Sequence, residues 1–262
     1  MNRIDTKAYL NAIFQGQTEE AKRIRMKNVP NKIVKFISLG DDELENQKKL
    51  ESLSDGKLWF SKVEEFNDPY ELRGIISLEN KNLEKYIDFR DSFSVCCLSG
   101  RSFGYLPMWA YYTNNYKGFC IEFSVVKKDA IHPVLYIKNR ISAYESLKDI
   151  EENAYKAMES GKKDMNLQID LNIFWQQFFM KDMSWQHEDE CRLLSSNVDE
   201  SQIGNSEPIN NYGLKINRII AGLNCSERNK KCLNEISRKY TGTNAYYSKL
   251  SSIKYGCEIE TL

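Results

Sequence analysis

The irregular order of the predicted strands and helices is the sequence feature that most constrains the class of fold this chain can adopt. Residues 118–124 and 132–137 predict successive strands, whereas a helix ending at Gly56 separates the strands at 32–39 and 57–61. About eight strands and five or six helices are expected. Strands that come both in succession and between helices favour an α+β fold over a doubly wound parallel sheet. We therefore expect mixed, largely antiparallel sheets that form a cleft flanked by helices.

Three further helices are expected in the polar and aromatic stretches of the chain. They are predicted at 83–90, 141–160 and 167–181. The last carries an apolar stripe with i, i+3, i+4, i+7 spacing, which is typical of core packing. At the N-terminus, apolar residues at helical spacing predict a short amphipathic helix. We expect a helical arm at 1–30 and a single α+β domain at 31–262.

The composition excludes few classes of function but disfavours some partners. The chain has 262 residues, 37 basic and 37 acidic, so its net charge gives no general reason to expect nucleic acid as a partner. No apolar run approaches the roughly 18 residues that a membrane span requires. Seven cysteines, an odd number without a C-x-x-C pair, predict reduced thiols in a cytoplasmic protein. With two histidines in the chain, no metal site is expected.

A strand that runs directly into a polar turn is the first candidate site. Ser61 ends the strand, and Asn67, Asp68 and Glu71 follow within ten residues. Loops held between rigid elements often carry function. Asn-Asp-Pro is also a turn signature, because Asn and Asp bond their own backbone and Pro fixes φ. Ligand binding and turn capping both remain open for these residues.

A second candidate lies at the end of a buried strand and in the helix that follows. Ser99 ends the strand, and Trp109, Tyr112 and Tyr116 would share one face of a helix at 107–115 and its continuation. Aromatic rings of this kind can stack on nicotinamide or adenine. Core packing is the alternative, and it is the stronger one for Trp109 alone.

The third candidate is a charged strand at 188–195. Glu188, Glu190 and Arg192 would point to one face of it, and Cys191 and Leu193 to the other. Two carboxylates and a guanidinium are costly to bury unless they are paired. They would line a cleft, or they would form a surface ladder with a Glu190–Arg192 pair.

Together these segments resemble a widespread bacterial domain of unknown function. The family combines an F-N-D-P-[FY]-E turn with a C-[FL]-S strand end, an M-W-x-x-Y helix and a W-x-x-E-x-E-x-R strand. The corresponding segments are Leu58–Glu71, Cys97–Ser99, Met108–Gly118 and Trp185–Arg192. The family often begins with Lys-Tyr on its first strand, where this chain has Lys35 and Phe36.

The order of these segments also looks like that of a divergent ADP-ribosyltransferase. That resemblance implies an NAD co-substrate held in a cleft between two small sheets, with Lys35, Ser61 or Ser99 facing the ligand. Glu188 or Glu190 would be the catalytic carboxylate, and Arg192 would pair a carboxylate or a phosphate. The cofactor-binding residues implied are Lys35, Ser61, Asn67, Asp68, Glu71, Ser99, Trp109, Tyr112 and Arg192.

Two other functions fit the same sequence. In the first alternative, the chain is a non-enzymatic module that binds a nucleotide or a protein in a bacterial toxin or phage-defence system. In the second, it is a nucleic-acid-processing protein whose contacts with the strand come from Tyr246, Tyr247, Lys249 and Lys254. The neutral net charge weakens this second alternative. For the ADP-ribosyltransferase-like enzyme, the sequence indicates no particular macromolecular target.

Overall fold

The computed structural model describes residues 4–71, 92–138, 172, 175–196 and 202–261. Within them the chain combines helices with a mixed, mostly antiparallel sheet, which confirms the α+β class. The helices predicted at 83–90 and 141–160, and most of the one at 167–181, lie outside the described residues.

The chain divides into two compact units. The first comprises Met1–Val29, Ser61–Val95 and Ile131–Gly204, and the second comprises Pro30–Phe60, Cys96–Ala130 and Asn205–Leu262. The predicted division at residue 30 stays a prediction. The described helices are α1 (Thr6–Phe14), α2 (Thr18–Asn28), α3 (Glu43–Ser54), α4 (Leu106–Tyr112) and α5 (Glu227–Thr241).

The strands are numbered in chain order. They are β1 (Lys32–Ile37), β2 (Lys57–Ser61), β3 (Ser94–Ser99), β4 (Phe119–Val125), β5 (His132–Pro133), β6 (Leu135–Ile137), β7 (Met180–Asp182), β8 (Glu190–Ser195), β9 (Gly204–Pro208), β10 (Leu214–Ala221), β11 (Tyr246–Leu250) and β12 (Cys257–Thr261). The strand predicted at 132–137 is therefore two strands, β5 and β6. The expectation of one helix up to residue 181 was wrong at its end, because residues 180–182 form β7.

The second unit is built on a long sheet whose strand order is β12-β11-β10-β4-β1-β3-β2-β9. Strand β4 lies antiparallel to both β1 and β10. Strands β10 and β11 are parallel, and α5 makes the crossover between them. One face packs around Val34, Phe36, Trp109 and Ile220.

Local capping explains where the helices of this unit begin. Asp42 accepts hydrogen bonds from the backbone N–H groups of Leu44 and Glu45 and caps α3. Ser226 accepts from the backbone of Asn229 and caps α5. Asp and Ser are both favoured at this position, because their side-chain oxygens accept from the free N–H groups of the first helical turn.

The first unit contains the two N-terminal helices. Tyr9, Ile13, Ala21 and Leu135 are buried in one apolar cluster, so α1 and α2 pack against β6. Strands β6 and β7 are parallel, and β5 pairs antiparallel with β8. No helix in the described parts of the chain has both the length and the apolar character needed to cross a bilayer.

All seven cysteines are in described parts of the chain and all are free thiols. Five of them are buried, and Cys97 and Cys232 are partly exposed. Burial raises the pKa of the Cys120 thiol well above its ordinary value. That thiol is therefore a packing group rather than a nucleophile.

Candidate functional site

Five buried charged side chains of the first unit meet at one point. They are Glu71, Lys181, Glu188, Glu190 and Arg192, and we call them the charge cluster. Arg192 is 0% exposed and no member is more than 7% exposed. Charged groups at this depth require close partners, because removal from water is costly.

A short turn between two strands places the central members. Lys181 lies in β7, a 3-10 helix at Met183–Glu188 follows, and β8 begins at Glu190. The residue between them, Asp189, has a left-handed backbone with φ of 49°. This reversal returns the Glu188 side chain to Lys181, seven residues earlier.

The sequence predicted that Glu188 opens the strand and shares a face with Glu190 and Arg192. That prediction was wrong for Glu188, which belongs to the 3-10 helix, because the left-handed residue after it interrupts the extended backbone. It was right for Glu190 and Arg192, which lie two residues apart in β8 and contact each other. The alternative of a surface ladder fails because both side chains are buried.

The ammonium of Lys181 lies among three carboxylates. Its Nζ is 2.8 Å from Oε2 of Glu188, 3.3 Å from Oε2 of Glu190 and 3.6 Å from Oε2 of Glu71. Burial lowers the pKa of Lys181, but the charges of Glu190 and Glu71 raise it more, so the pKa lies above the ordinary value. Lys181 is therefore a permanent cation at neutral pH.

Arg192 makes the second set of ionic contacts. Its Nε donates to Oε1 of Glu190 at 2.8 Å, and its Nη2 donates to Oε2 of the same carboxylate at 3.1 Å. Its Nη1 donates to the carbonyl oxygen of Phe178 at 2.7 Å. This fork-shaped pairing fixes the Glu190 carboxylate in one orientation.

Glu71 lies at the end of the polar turn that follows β2, and its side chain belongs to the charge cluster. Asp68 accepts a hydrogen bond from the backbone of Tyr70, and its carbonyl accepts from Glu71, so the turn-capping role of Asp68 is present. The carboxylate of Glu71 lies 2.6 Å from Nη2 of Arg192. Among the described residues, neither of its oxygens has a hydrogen bond of good alignment. Burial raises the pKa of Glu71, and the nearby Glu190 adds to that effect.

The charge count of the cluster is uneven. Among the described residues, three carboxylates face two cations, so these five groups together carry one surplus negative charge when all are ionised. A proton on Glu71 would neutralise it, which agrees with the raised pKa of that group. A cationic ligand group would neutralise it equally well.

Two aromatic residues complete the surroundings of Lys181. The hydroxyl of Tyr136 accepts a hydrogen bond from the backbone N–H of Glu190 at 2.8 Å. Burial and the charge of Glu190 raise the pKa of Tyr136 above its ordinary value. The ammonium of Lys181 lies 4.7 Å from the centre of the Trp185 ring, which is a cation–π contact.

Lys181 and Tyr136 were not assigned roles from the sequence. Lys181 precedes Trp185 by four residues in the quoted charged segment, but nothing in that spacing indicates contact with two glutamates. Tyr136 lies opposite Lys181 in the parallel pairing of β6 and β7. That pairing places both residues beside Glu190, where the Tyr136 hydroxyl contacts the backbone N–H and the Lys181 ammonium contacts the carboxylate.

The other predicted residues of this unit lie around the turn. Ser61 is at the end of β2, paired with Val95, and Asn67 is exposed. The structure thus brings Glu71 together with Glu188, Glu190 and Arg192, whereas the side chain of Asn67 is at the surface.

Four predicted residues belong to the second unit. Lys35 donates to the carbonyl oxygen of Cys97 at 2.8 Å, and the hydroxyl of Ser99 accepts from the backbone of Arg101 at 3.1 Å. Trp109 is fully buried, and Tyr112 packs against the same apolar cluster. Their membership in one site with the charge cluster stays a prediction.

The packing of Trp109 favours the core alternative. Its ring meets Phe36 edge to face at 5.3 Å, and its Nε1 donates to the carbonyl oxygen of Phe103. Tyr116 lies beyond the end of α4 with φ of 66°, so it does not continue the helical face that was expected. It stacks on Trp109 at 6.4 Å.

The cluster does not resemble a metal centre. The described residues include no group of three or more His, Cys, Asp or Glu side chains placed to share a metal ion. The ammonium of Lys181 lies between the three carboxylates, at the position that a metal ion bound by them would occupy.

Comparison with known proteins adds one finding. No curated protein and no solved structure matches the chain. A family model matches residues 108–193, which is about a third of the chain and includes Trp109, Lys181 and Glu188–Arg192 but not the polar turn at 58–71. Residues 108–193 match the family model described as "Protein of unknown function (DUF2971)", which supports the expected relationship to a domain family of unknown function.

Proposed function

We propose that the charge cluster is the catalytic centre of an NAD-dependent enzyme related to ADP-ribosyltransferases. The observation that carries the proposal is that, among the described residues, three buried carboxylates are gathered around two cations. Transfer of a ribosyl group from NAD passes through a ribose with oxocarbenium-like positive charge. A fixed negative charge in a water-poor site stabilises such a charge far more than it would in water.

The roles within the reaction follow from the contacts. Glu188, whose Oε2 lies 2.8 Å from Nζ of Lys181, would bond the ribose 2′-hydroxyl and stabilise the oxocarbenium ion. Glu190 contacts both Lys181 and Arg192, and its fixed negative charge would add to the electrostatic stabilisation of the same ion. The bond from the ribose C1′ to nicotinamide breaks, and its electron pair leaves with nicotinamide, which becomes neutral. The acceptor nucleophile then bonds to C1′ and loses its proton.

The same contacts favour the carboxylate over the phosphate as the partner of Arg192, the two alternatives that the sequence left open. Its guanidinium already pairs Glu190 and Glu71, so it serves as a positioning residue for the carboxylates rather than as a phosphate ligand. Because Glu188 is buried, NAD must replace its contact with Lys181 when it binds. A bacterial toxin or phage-defence effector in the cytoplasm is the setting that we propose for this activity.

A non-enzymatic module is the second candidate. The observation in its favour is that all five charged side chains are buried and in mutual contact, as in a structural ion-pair network. In that case a nucleotide or protein would bind without turnover. The nucleic-acid alternative gains less support, because Lys249 contacts Glu260 and the ring of Tyr247 contacts Lys230.

The test compares glutamine variants for release of nicotinamide from NAD. We expect turnover by the wild-type chain and a loss of about 10²–10³-fold in Glu188→Gln, the size seen when one transition-state contact is removed. Glu190→Gln and the double variant should be as slow or slower. Glu122→Gln is the matched control, because Glu122 is also buried and pairs a cation, Arg218, but lies in the other unit.

Thermal shift separates the remaining outcomes. NAD or ADP-ribose raises the melting midpoint if either binds the folded state. Stabilisation by NAD without nicotinamide release would support the binding module and overturn the enzyme. Stabilisation by single-stranded oligonucleotides alone would overturn both. Equal turnover in Glu188→Gln and the wild type, with unchanged circular dichroism, would also overturn the catalytic assignment.

A further inference from the structure

A second cavity lies wholly within the first unit, apart from the charge cluster. It has a volume of about 380 Å³ and is bounded by α1, α2, β5, β8 and the segment that leads into β7. This volume is at the lower end of the range for small-molecule sites, which fits a mononucleotide better than a dinucleotide. The residues that define its chemistry are Lys22, Arg25, His132, Trp175, Gln176 and Phe179.

One wall of the cavity is cationic. Lys22 and Arg25 lie three residues apart on α2 and so share a face of that helix. Among the described residues that line the cavity there is no carboxylate. A small anion is the ligand group that this wall would attract.

Arg25 is held in position before any ligand arrives. Its Nη1 donates to the carbonyl oxygen of Ile131 at 2.9 Å and lies 3.2 Å from Nε2 of His132. Burial, with a further contribution from Arg25, lowers the pKa of His132 to about 3, so this ring is neutral at pH 7. A neutral Nε2 can accept from Arg25. The guanidinium is therefore preorganised and keeps its charge.

The rest of the cavity suits a flat ring. The ring of His132 stacks on Phe179 at 4.0 Å with an angle of 8°, and Trp175 lines the cavity beside them. Aromatic walls of this kind favour planar heterocycles such as nucleobases.

Two carboxamides in the lining have buried atoms without a well-aligned hydrogen bond among the described residues. These atoms are Oε1 of Gln176 and Nδ2 of Asn172, although the side chain of Gln176 also interacts with the hydroxyl of Tyr9. Gln176 is 6% exposed, and its own Nε2 donates to the carbonyl oxygen of Asn172 at 3.2 Å. A buried polar atom without a partner is destabilising, so both atoms gain when a ligand supplies one. An acceptor and a donor side by side match the amide-like edge of a nucleobase.

We propose that this cavity is a mononucleotide-binding site, with the phosphate at Lys22 and Arg25 and the base edge at Gln176 and Asn172. The site is distinct from the charge cluster and does not depend on the proposed transfer reaction. The connection between the two is short, because Arg192 donates to the carbonyl of Phe178 and the next residue, Phe179, lines the cavity.

The test measures binding of adenosine 5′-monophosphate, adenosine and inorganic phosphate by calorimetry and by tryptophan fluorescence, since Trp175 lines the cavity. We expect the nucleotide to bind at least about tenfold more tightly than either fragment, because the two ends of the ligand contribute together. Lys22→Gln should weaken the nucleotide and phosphate alike by about three- to tenfold. Lys27→Gln, an exposed lysine on the same helix outside the cavity lining, is the matched control and should change neither.

A second variant addresses the base edge separately. Gln176→Leu should reduce the preference for the nucleotide over phosphate about tenfold, and it should leave phosphate affinity unchanged. A purely structural role of Gln176 would shift the melting midpoint without changing that preference. Nucleotide binding no tighter than phosphate binding would overturn the proposal, as would equal effects of Lys22→Gln and Lys27→Gln.

Discussion

Replacing Lys181 by Met removes an ammonium that three buried carboxylates share. The methionine keeps most of the apolar side-chain length, so the change isolates the charge. At separations of 2.8, 3.3 and 3.6 Å, each attraction is about 5 kcal/mol for an effective dielectric constant of about 20. Removal of the ions from water offsets most of that sum, by several kcal/mol for each ion.

The net loss is set by the charges that the substitution leaves behind. Breaking a buried ion pair by removing one partner costs about 3–5 kcal/mol. We therefore expect Lys181→Met to lower the free energy of unfolding by about 3–5 kcal/mol at pH 7. For a chain of this size the melting midpoint would fall by roughly 10 °C.

The pH dependence of this loss has a definite sign. Burial raises the pKa of Glu71 and the charge of Lys181 opposes that effect, so without the ammonium the pKa of Glu71 in the folded variant must rise further. A carboxyl group with a raised folded pKa contributes stability that is present below its unfolded pKa of about 4.5 and is lost as the pH rises through the folded value. The difference between Lys181→Met and the wild type should therefore be smallest near pH 4.5 and grow towards pH 7.

Urea unfolding followed by circular dichroism between pH 4.5 and 8 measures this difference. Adding Glu188→Gln to Lys181→Met should recover part of the lost stability, because one unpaired charge fewer remains. Lys249→Met is the control, since Lys249 forms an exposed pair with Glu260, and it should have little effect. A loss below about 1 kcal/mol in Lys181→Met, or a loss independent of pH, would refute the electrostatic reasoning.

Three further predictions concern stability. In urea unfolding, Glu71→Gln should gain stability relative to the wild type as the pH rises from about 4.5. Burial raises the pKa of Glu71, so the wild type loses stability as this carboxyl group ionises, and glutamine does not ionise. A difference that is independent of pH would contradict this. Tyr136→Phe should lose about 1–3 kcal/mol at pH 7, because a buried N–H loses its acceptor. That deficit should shrink above about pH 10 in alkaline unfolding, because the raised phenol pKa makes the wild type lose stability there. Gly118→Ala should lower the melting midpoint, because its Cβ would overlap with the carbonyl oxygen of Ile37, whereas at Gly40 the nearest atom is 3.9 Å away and alanine should be tolerated; equal midpoints would contradict the packing.

The elements with strong local signals were predictable. The caps at Asp42 and Ser226, and the strands that carry Lys35 and Ser99, follow from residue types and spacing alone. The class of fold follows from their order. A cap joins residues two or three positions apart, and a strand repeats its pattern every two residues, so a single sequence contains the signals for both.

The charged segment was only partly predictable. Glu190 and Arg192 were expected on one face because a strand repeats every two residues, and they are. The prediction for Glu188 was wrong because the left-handed backbone at Asp189 has no clear sequence signal. Aspartate tolerates this conformation but does not require it.

The sequence by itself determined which side chains carry charge and that they must be paired if they are buried. The tertiary structure decided the partners. Lys181 meets Glu188 across a tight 3-10 turn, Tyr136 meets Glu190 through the parallel pairing of β6 with β7, and Glu71 arrives from a turn more than a hundred residues earlier. Electrostatic attraction depends on distances in space rather than along the chain, so the cluster and its surplus negative charge exist only once the chain has folded.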